Sequence, residues 1–420
     1  MLMKLNIRRT ILIGLAFMSI SAFWQYYNNE IPKILKNTYG MGETWTGVIM
    51  ALDNILALFL LPLFGFLSDR TKTRFGKRMP YILAGTLISS ILVMVLAVLS
   101  GSRGTLTPFI IVLLLLLVAM GIYRSPAVSL MPDLTPSPVR SRANAIINLM
   151  GTLGAVYALL MTKKLIHTPA DGSLTNYVPM TLSIAGLMLV SVGILFFTIN
   201  ENKLHDEIGE VQASAEAEPA AAKEAMPPEV KKSMRWLLLS VFLWFTAYNA
   251  VTTAFSRYVE QVWNLHDGAY ADCLMVATIA AVVCYVPIGW ISQRIGRRKM
   301  IMVGIIAMTA CYLVAGFVTV YAAWFNILFA VIGFGWAAIN VNSYPMVVEM
   351  SRSGEIGKFT GTYYTFSMAA QVFTPIASGW LLEHVSYRTL FPYSFIFSAL
   401  AFATMCMVHH GDIELPGKKA

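Results

Sequence analysis

Two ionisable residues stand where ionisable residues are expensive. Asp53, followed by Asn54, sits in the middle of a long apolar run, and Arg124 sits in another. If such runs cross a membrane, a charge at their centre costs on the order of 2.5–3.5 kcal/mol on insertion scales, so it is expected to face a cavity, find a partner or carry function. A carboxylate can take up and release a proton. A guanidinium offers several fixed donors to a carboxylate or a polar ligand. Asp53 is therefore the candidate proton-coupling residue, with Arg124 engaging Asp53 and substrate in turn. A fixed ion pair holding two helices is the competing reading.

Polar and aromatic residues recur at helical spacing in the same kind of run. Trp24, Tyr27 and Asn28 share one helix face, as do Tyr248, Asn249, Thr252 and Ser256. Trp336, Asn340 and Tyr344 repeat every four residues. Asn144 and Asn148 share a face, and Tyr363, Tyr364 and Gln371 lie in one further run. Aromatic faces with hydroxyl-matching amides suit a ligand rich in hydroxyl groups. The candidate substrate-binding set is Trp24, Tyr27, Asn28, Asn54, Arg124, Tyr248, Asn249, Thr252, Trp336, Asn340 and Gln371. Interfacial belts of Trp and Tyr, and amides joining helices, are the alternatives for any one of them.

Enzyme chemistry finds no support. His167, His205, His266, His384, His409 and His410 lie in loops or at the ends of apolar runs, and no HExxH occurs. Cys273, Cys284, Cys311 and Cys406 make no metal-ligand spacing. No metal or cofactor is expected.

The elements that must hold these residues follow from composition. Of 420 residues, 57% are hydrophobic and 13% charged, against roughly 25% charged in soluble domains. Mean hydropathy is +0.65. That much apolar surface needs lipid as its solvent. Charge-poor runs sit at about 10–29, 44–67, 79–101, 105–131, 143–163 and 175–199, and again at about 235–258, 270–292, 300–321, 323–348, 359–382 and 388–410. The ninth and tenth are separated near Tyr321. The expectation is an all-α membrane protein of twelve spans: a six-helix bundle at 1–199, a cytoplasmic linker at 200–233 and a second bundle at 234–420. The basic N-terminal stretch with Arg8 and Arg9 leads into a retained first span, because no small-residue cleavage site follows.

With the N-terminus inside, 23 Lys and Arg residues fall on the cytoplasmic side and 6 outside. The positive-inside rule then puts both termini in the cytoplasm and accounts for the net charge of +9 without nucleic acid. Arg257 and Glu260 read as a rim pair near the outer interface. A monomer in the cell (inner) membrane is expected.

The two halves repeat. Gly65-Phe-Leu-Ser-Asp69-Arg70, then Gly76-Lys77-Arg78, is echoed by Gly289-Trp-Ile-Ser-Gln293-Arg294, then Gly296-Arg297-Arg298. Gly65-x-x-x-Asp69-Arg70 with Gly76-Lys77-Arg78 resembles the loop signature of the major facilitator superfamily. The longer string from Leu61 to Leu83, with Gly121-Ile-Tyr-Arg124-Ser-Pro-Ala-Val-Ser-Leu-Met-Pro-Asp133, resembles its sucrose-transporter-like branch, bacterial members included. Trp24-x-x-Tyr27-Asn28 and Tyr248-Asn249-Ala250-Val251 also look like bacterial members. The resemblance implies the major facilitator fold, with helices 1, 4, 7 and 10 lining a pathway. It also implies proton-coupled symport of a disaccharide or glycoside by alternating access. An exporter or carrier of another polar metabolite, or a non-transporting sensor, are the alternatives. Gln293 departs from the acid usual in the second signature, Thr252 from a frequent Glu, and Val112 to Met120 contains no acid.

A cytoplasmic gate is expected from Gly65, Asp69, Arg70, Arg74, Asp133, Arg142 and Glu349. Gly65 would allow close helix approach, and Asp69 would bond a helix N-terminus or Arg74. The topology predicts that green fluorescent protein fused to the C-terminus is fluorescent in cells, whereas an alkaline phosphatase fusion there is inactive.

Overall fold

The computed structural model describes residues 5–102, 104–135, 140–167, 173–204, 227–350 and 356–412. Among them are twelve α-helices and no strand. They are α1 (Ile7–Asn37), α2 (Glu43–Arg70), α3 (Met79–Ser100), α4 (Leu106–Asp133), α5 (Arg140–Leu165) and α6 (Val178–Thr198). Then come α7 (Pro228–Val262), α8 (Tyr270–Ile295), α9 (Arg297–Gly316), α10 (Phe325–Met350), α11 (Ile356–His384) and α12 (Leu390–Cys406). Among the described residues, eleven helical segments are long and apolar enough to cross a membrane. The segment α11, broken up by Gly, Ser, Thr and Tyr, is not among them. The break expected near Tyr321 falls between α9 and α10.

Two helices run past their expected limits for physical reasons. The first extends to Asn37 because its late charges neutralise each other: Lys33 Nζ lies 2.8 Å from Glu30 Oε2, both buried. The seventh begins at Pro228, inside the stretch expected to be linker. Proline suits the first helical position, where its missing N–H would be unpaired anyway, and Glu229 lies in the positive first turn. Most of the expected linker, 205–226, lies outside the described residues.

The chain forms two compact units. One comprises Met1–Met41, Leu52–Ala217 and His266–Gly268; the other Gly42–Ala51, Glu218–Leu265 and Ala269–Ala420. The first turns of α2 therefore belong with the second unit. Inside the first unit, α1 packs on α5 and α6, and α3 on α4 and α6. Inside the second, α7 packs on α11 and α12, and α9 on α10 and α12. These four pairings are the same after a shift of six helices, so the sequence repeat is in that respect also a repeat of packing.

The second unit corrects one expectation. Arg257 does not pair with Glu260 at a rim. Its Nε donates to Glu43 Oε2 at 2.7 Å, and the side chains are only 5% and 3% exposed. Tyr387 Oη donates to the other Glu43 oxygen, and Arg257 Nη1 donates to the Thr253 carbonyl at 3.0 Å. Glycines make room for this turn of α2: a Cβ at Gly379 would overlap the Glu43 carbonyl, and one at Gly47 the Pro375 carbonyl. Removing one partner from such a buried pair costs about 3–5 kcal/mol, because the other charge stays buried. Glu43→Gln or Arg257→Gln should thus lower the unfolding temperature in detergent by several degrees. The double variant Glu43→Gln/Arg257→Gln should lose less than the two single losses combined.

Candidate functional site

The first unit brings Asp53, Asn54, Arg124, Trp24 and Tyr27 together from α2, α4 and α1. Asn54 Nδ2 donates to Asp53 Oδ1 at 2.8 Å. The Arg124 guanidinium carbon lies 5.4 Å from the centre of the Trp24 ring, a cation–π contact. Asp53 interacts through charge with both Arg124 and Tyr27. Trp24 and Tyr27 meet edge to face, with ring centres 5.2 Å apart. Two buried donors here, Trp24 Nε1 and Tyr27 Oη, have no hydrogen-bond partner among the described residues. Such donors cost free energy unless something supplies an acceptor. Asn28, expected on the same face, is half-buried.

The candidates on α7 and α10 meet within the second unit. Tyr248 stacks on Trp336, with ring centres 3.7 Å apart and planes 3° from parallel, and Phe245 closes on the same Trp edge to face. The amides here bond back to their own helices. Asn249 Nδ2 donates to the Phe245 carbonyl at 2.8 Å and Asn340 Nδ2 to the Trp336 carbonyl at 3.0 Å. Gln371 Nε2 donates to the Ser367 carbonyl at 3.3 Å, and the Thr252 hydroxyl to the Tyr248 carbonyl. Each amide keeps its carbonyl oxygen for another partner. Asn144 and Asn148 are exposed on α5.

The loop signature forms a compact ionic network centred on Arg78. Its Nε donates to Asp133 Oδ2 at 3.0 Å, its Nη1 to the Gly65 carbonyl at 3.1 Å and to Ser68, and its Nη2 to Asp69. Lys77 Nζ adds a second cation to Asp133 at 3.1 Å. The partner of Asp69 is thus Arg78, not Arg74. Arg74 lies over the Phe75 ring and Arg70 over Phe66, outside the network. The side chain of Arg142 lies outside the described residues. Glu201, missed in the sequence, is buried beneath the loop and accepts from the backbone N–H groups of Lys77, Arg78 and Met79 at 2.9–3.0 Å. It satisfies the orphan donors at the start of α3.

The second unit repeats the device with altered chemistry. Gly76 and Gly296 both hold positive φ, 109° and 100°, which a side chain would strain. Asp412 takes the place of Glu201 and accepts from the Arg297 N–H at 2.6 Å. Arg297 pairs with Glu349 at 3.2 Å, as Lys77 does with Asp133. Gln293 offers no charge, and Arg298 donates instead to the Cys406 carbonyl at 2.8 Å. The signal for both missed caps was an acid following the sixth helix of each half.

A sequence profile described as "MFS/sugar transport protein" matches residues 11–406. The chain belongs to that family. It is a multi-span membrane protein of a transporter family, not of an enzyme family. An isoprimeverose transporter of Lactiplantibacillus pentosus is 24% identical over 303 residues, covering 69% of this chain and 59% of the relative. A sucrose transport protein of Arabidopsis thaliana is 30% identical over 131 residues, 28% of this chain and 26% of the relative. The matches thus span less than two thirds of these curated relatives. Among solved structures, the xylose transporter XylE of E. coli matches with a TM-score of 0.71 at 12% identity, over 98% of this chain and 97% of that one. That likeness carries the fold.

The network makes a contrast that transport assays can read. Arg78→Gln removes a guanidinium tied to two carboxylates and a carbonyl, and should cut transport about tenfold or more through lost charge-assisted bonds. Arg74→Gln, which loses a contact with one aromatic ring, should stay within about twofold of wild type.

Proposed function

We propose that this transporter is a secondary active symporter that moves a sugar, a disaccharide or glycoside, together with a proton by alternating access. The reading includes twelve spans, α11 counted with the eleven, and both termini in the cytoplasm. It treats 1–199 and 234–420 as the two bundles, and the chain as a monomer in the inner membrane.

The observation that carries it is the cluster in the first unit. Arg124 rests over an indole face rather than locked into a carboxylate. Two buried donors, from Trp24 and Tyr27, lack acceptors. A polyhydroxylated ligand supplies what is missing: oxygen acceptors for the donors and for Arg124, and C–H faces for aromatic rings. Asp53 supplies the second half of the coupling. While ionised it attracts Arg124; once protonated it releases Arg124 to the ligand. A proton then enters and leaves with each sugar. On this reading Asn28 and Asn54 add sugar contacts within the first unit, and Tyr248, Asn249, Thr252, Trp336, Asn340 and Gln371 are the sugar-contacting residues of the second. Gly65, Asp69 and Asp133, with Arg78 added, are the cytoplasmic gate residues of the first unit and Glu349 that of the second, and Arg70, Arg74 and Arg142 contribute positive charge on the cytoplasmic face.

The test uses protein reconstituted in liposomes with isoprimeverose, sucrose and a panel of other disaccharides. One sugar is expected to alkalinise the external solution as it enters. Asp53→Asn should abolish that signal and gradient-driven accumulation, yet keep exchange of labelled sugar across the membrane. Full accumulation in Asp53→Asn would remove Asp53 from the coupling. Sugar exchange without any pH signal in wild type would mean another ion or none. Efflux against a gradient without uptake would make the protein an exporter, and binding without flux a sensor.

A further inference from the structure

We propose that Tyr123 and Ser125 are positioning residues that fix Arg124 between Trp24 and Asp53. The importance of Arg124 for sugar and proton rests on the function proposed above; the positioning itself rests on geometry within the first unit.

Successive side chains on a helix project about 100° apart. Residues 123, 124 and 125 therefore fan out towards different neighbours. Tyr123 is fully buried, and its hydroxyl reaches α1, donating to the Ala16 carbonyl at 3.0 Å and meeting the Ser19 hydroxyl. Ser19 also lies 2.9 Å from the Ala16 carbonyl, so two protons serve a closed triangle of three oxygens. On the other flank the Ser125 hydroxyl reaches α2 and donates to the Leu61 carbonyl at 2.6 Å.

The backbones leave little slack around these anchors. A Cβ on Gly65 would stand 3.2 Å from Ser125 Oγ, and one on Gly121 would stand 3.1 Å from Leu60 Cβ. A Cβ on Gly85 of α3 would come within 2.8 Å of the Tyr123 backbone nitrogen. A packed helix keeps two easy motions, rotation about its axis and sliding along it. Anchors to α1 and α2 on opposite flanks, against α3 behind, oppose both. Between them projects Arg124, over Trp24 and within charge reach of Asp53. Neither hydroxyl is needed to bind ligand; both decide where the guanidinium stands, and displacement of a binding group by a fraction of an ångström is costly to affinity and rate.

The removal of one hydroxyl is mild for folding. In Tyr123→Phe the Ser19 hydroxyl still donates to the Ala16 carbonyl, so no buried donor is orphaned. The experiment compares Tyr123→Phe, Ser125→Ala and Ser125→Thr in the full chain, alone and combined with Arg124→Lys. One readout needs no substrate: the rate at which phenylglyoxal modifies Arg124, followed by peptide mass spectrometry, with Arg78 as reference in the same sample. The second is half-saturation and maximal rate of sugar uptake.

Tyr123→Phe and Ser125→Ala should raise the Arg124 modification rate about threefold or more while Arg78 stays constant, since only the anchored side chain gains freedom. Half-saturation should rise about fivefold with maximal rate within about twofold. Ser125→Thr, which keeps the hydroxyl, should behave as wild type. In the Arg124→Lys background the uptake effect should vanish, because coupled residues are not additive. An unchanged Arg124 rate, or equal rises at Arg124 and Arg78, would overturn the proposal. Should wild type move no sugar, the proposed function falls, while the modification rates still decide the positioning.

Discussion

A charge withdrawn from water into an apolar interior must be compensated by something nearby, and this constraint sorts the ionisable residues of the protein. Glu30 has Lys33 one turn away on its own helix. Glu43 has Arg257 and Tyr387. Arg78 has Asp69, Asp133 and the Gly65 carbonyl. In each case a cation meets a carboxylate in direct contact, the arrangement that makes burial of charge tolerable. Asp53 and Arg124 are compensated differently. Among the described residues no hydrogen bond joins them; an amide serves the acid and an indole face the base. The looser pair lies beside two of the protein's buried donors that have no hydrogen-bond partner among the described residues, Trp24 Nε1 and Tyr27 Oη.

Duplication explains the frame but not the chemistry. Both units repeat the same four helix pairings and the same positive-φ glycine with an acid capping the next helix. Packing and capping are backbone requirements, so each copy must meet them. The substitutions fall elsewhere. Gln293 replaces the acid that Arg78 uses in the first unit, and its counterpart Arg298 turns to a carbonyl. The first unit holds the intramembrane acid and base; the second offers a Tyr–Trp stack and amides. The two copies thus hold different chemistry, charged groups within apolar helices in one and an aromatic stack with amides in the other.

Much of this was legible because it is periodic or costly. Apolar runs announce helices, and a lone Asp or Arg within one stands out against them. The spacing of Trp24 and Tyr27 placed them on one face, and they do meet. What stayed hidden depends on partners far apart along the chain. Glu201 caps a helix that starts more than a hundred residues earlier, and Glu43 bonds Arg257 from 214 residues away. Of the two partners the loop spacing offers Asp69, a helix N-terminus or Arg74, Arg74 turns to Phe75, while Arg78, at the start of α3, turns inward to Asp69. Polar residues just outside a span carry no periodic signal, so only the folded chain identifies what they touch. Asn144 and Asn148, whose spacing puts them on one face, are both exposed on α5.

The magnitudes indicate which of these charges can move during a cycle. A cation over an aromatic face is held by about 0.5–2 kcal/mol, whereas stripping one partner from a buried ion pair costs about 3–5 kcal/mol. A ligand can shift a conformational equilibrium only by the difference in its affinity for the two states. A few hydrogen bonds from sugar hydroxyls, at about 0.5–1.5 kcal/mol each and more where one partner is charged, suffice to compete for Arg124 against Trp24. Opening Glu43–Arg257 or the Arg78 network would use up most or all of that gain. On the function proposed above, substrate and proton act first on the loosely held pair, and the tight pairs respond through movement of the helices that carry them. Rigid anchoring of α4 beside Arg124 serves that order of events. The guanidinium can change partners without its helix yielding, so its local exchange of partners is converted into a change felt by the helices as whole bodies.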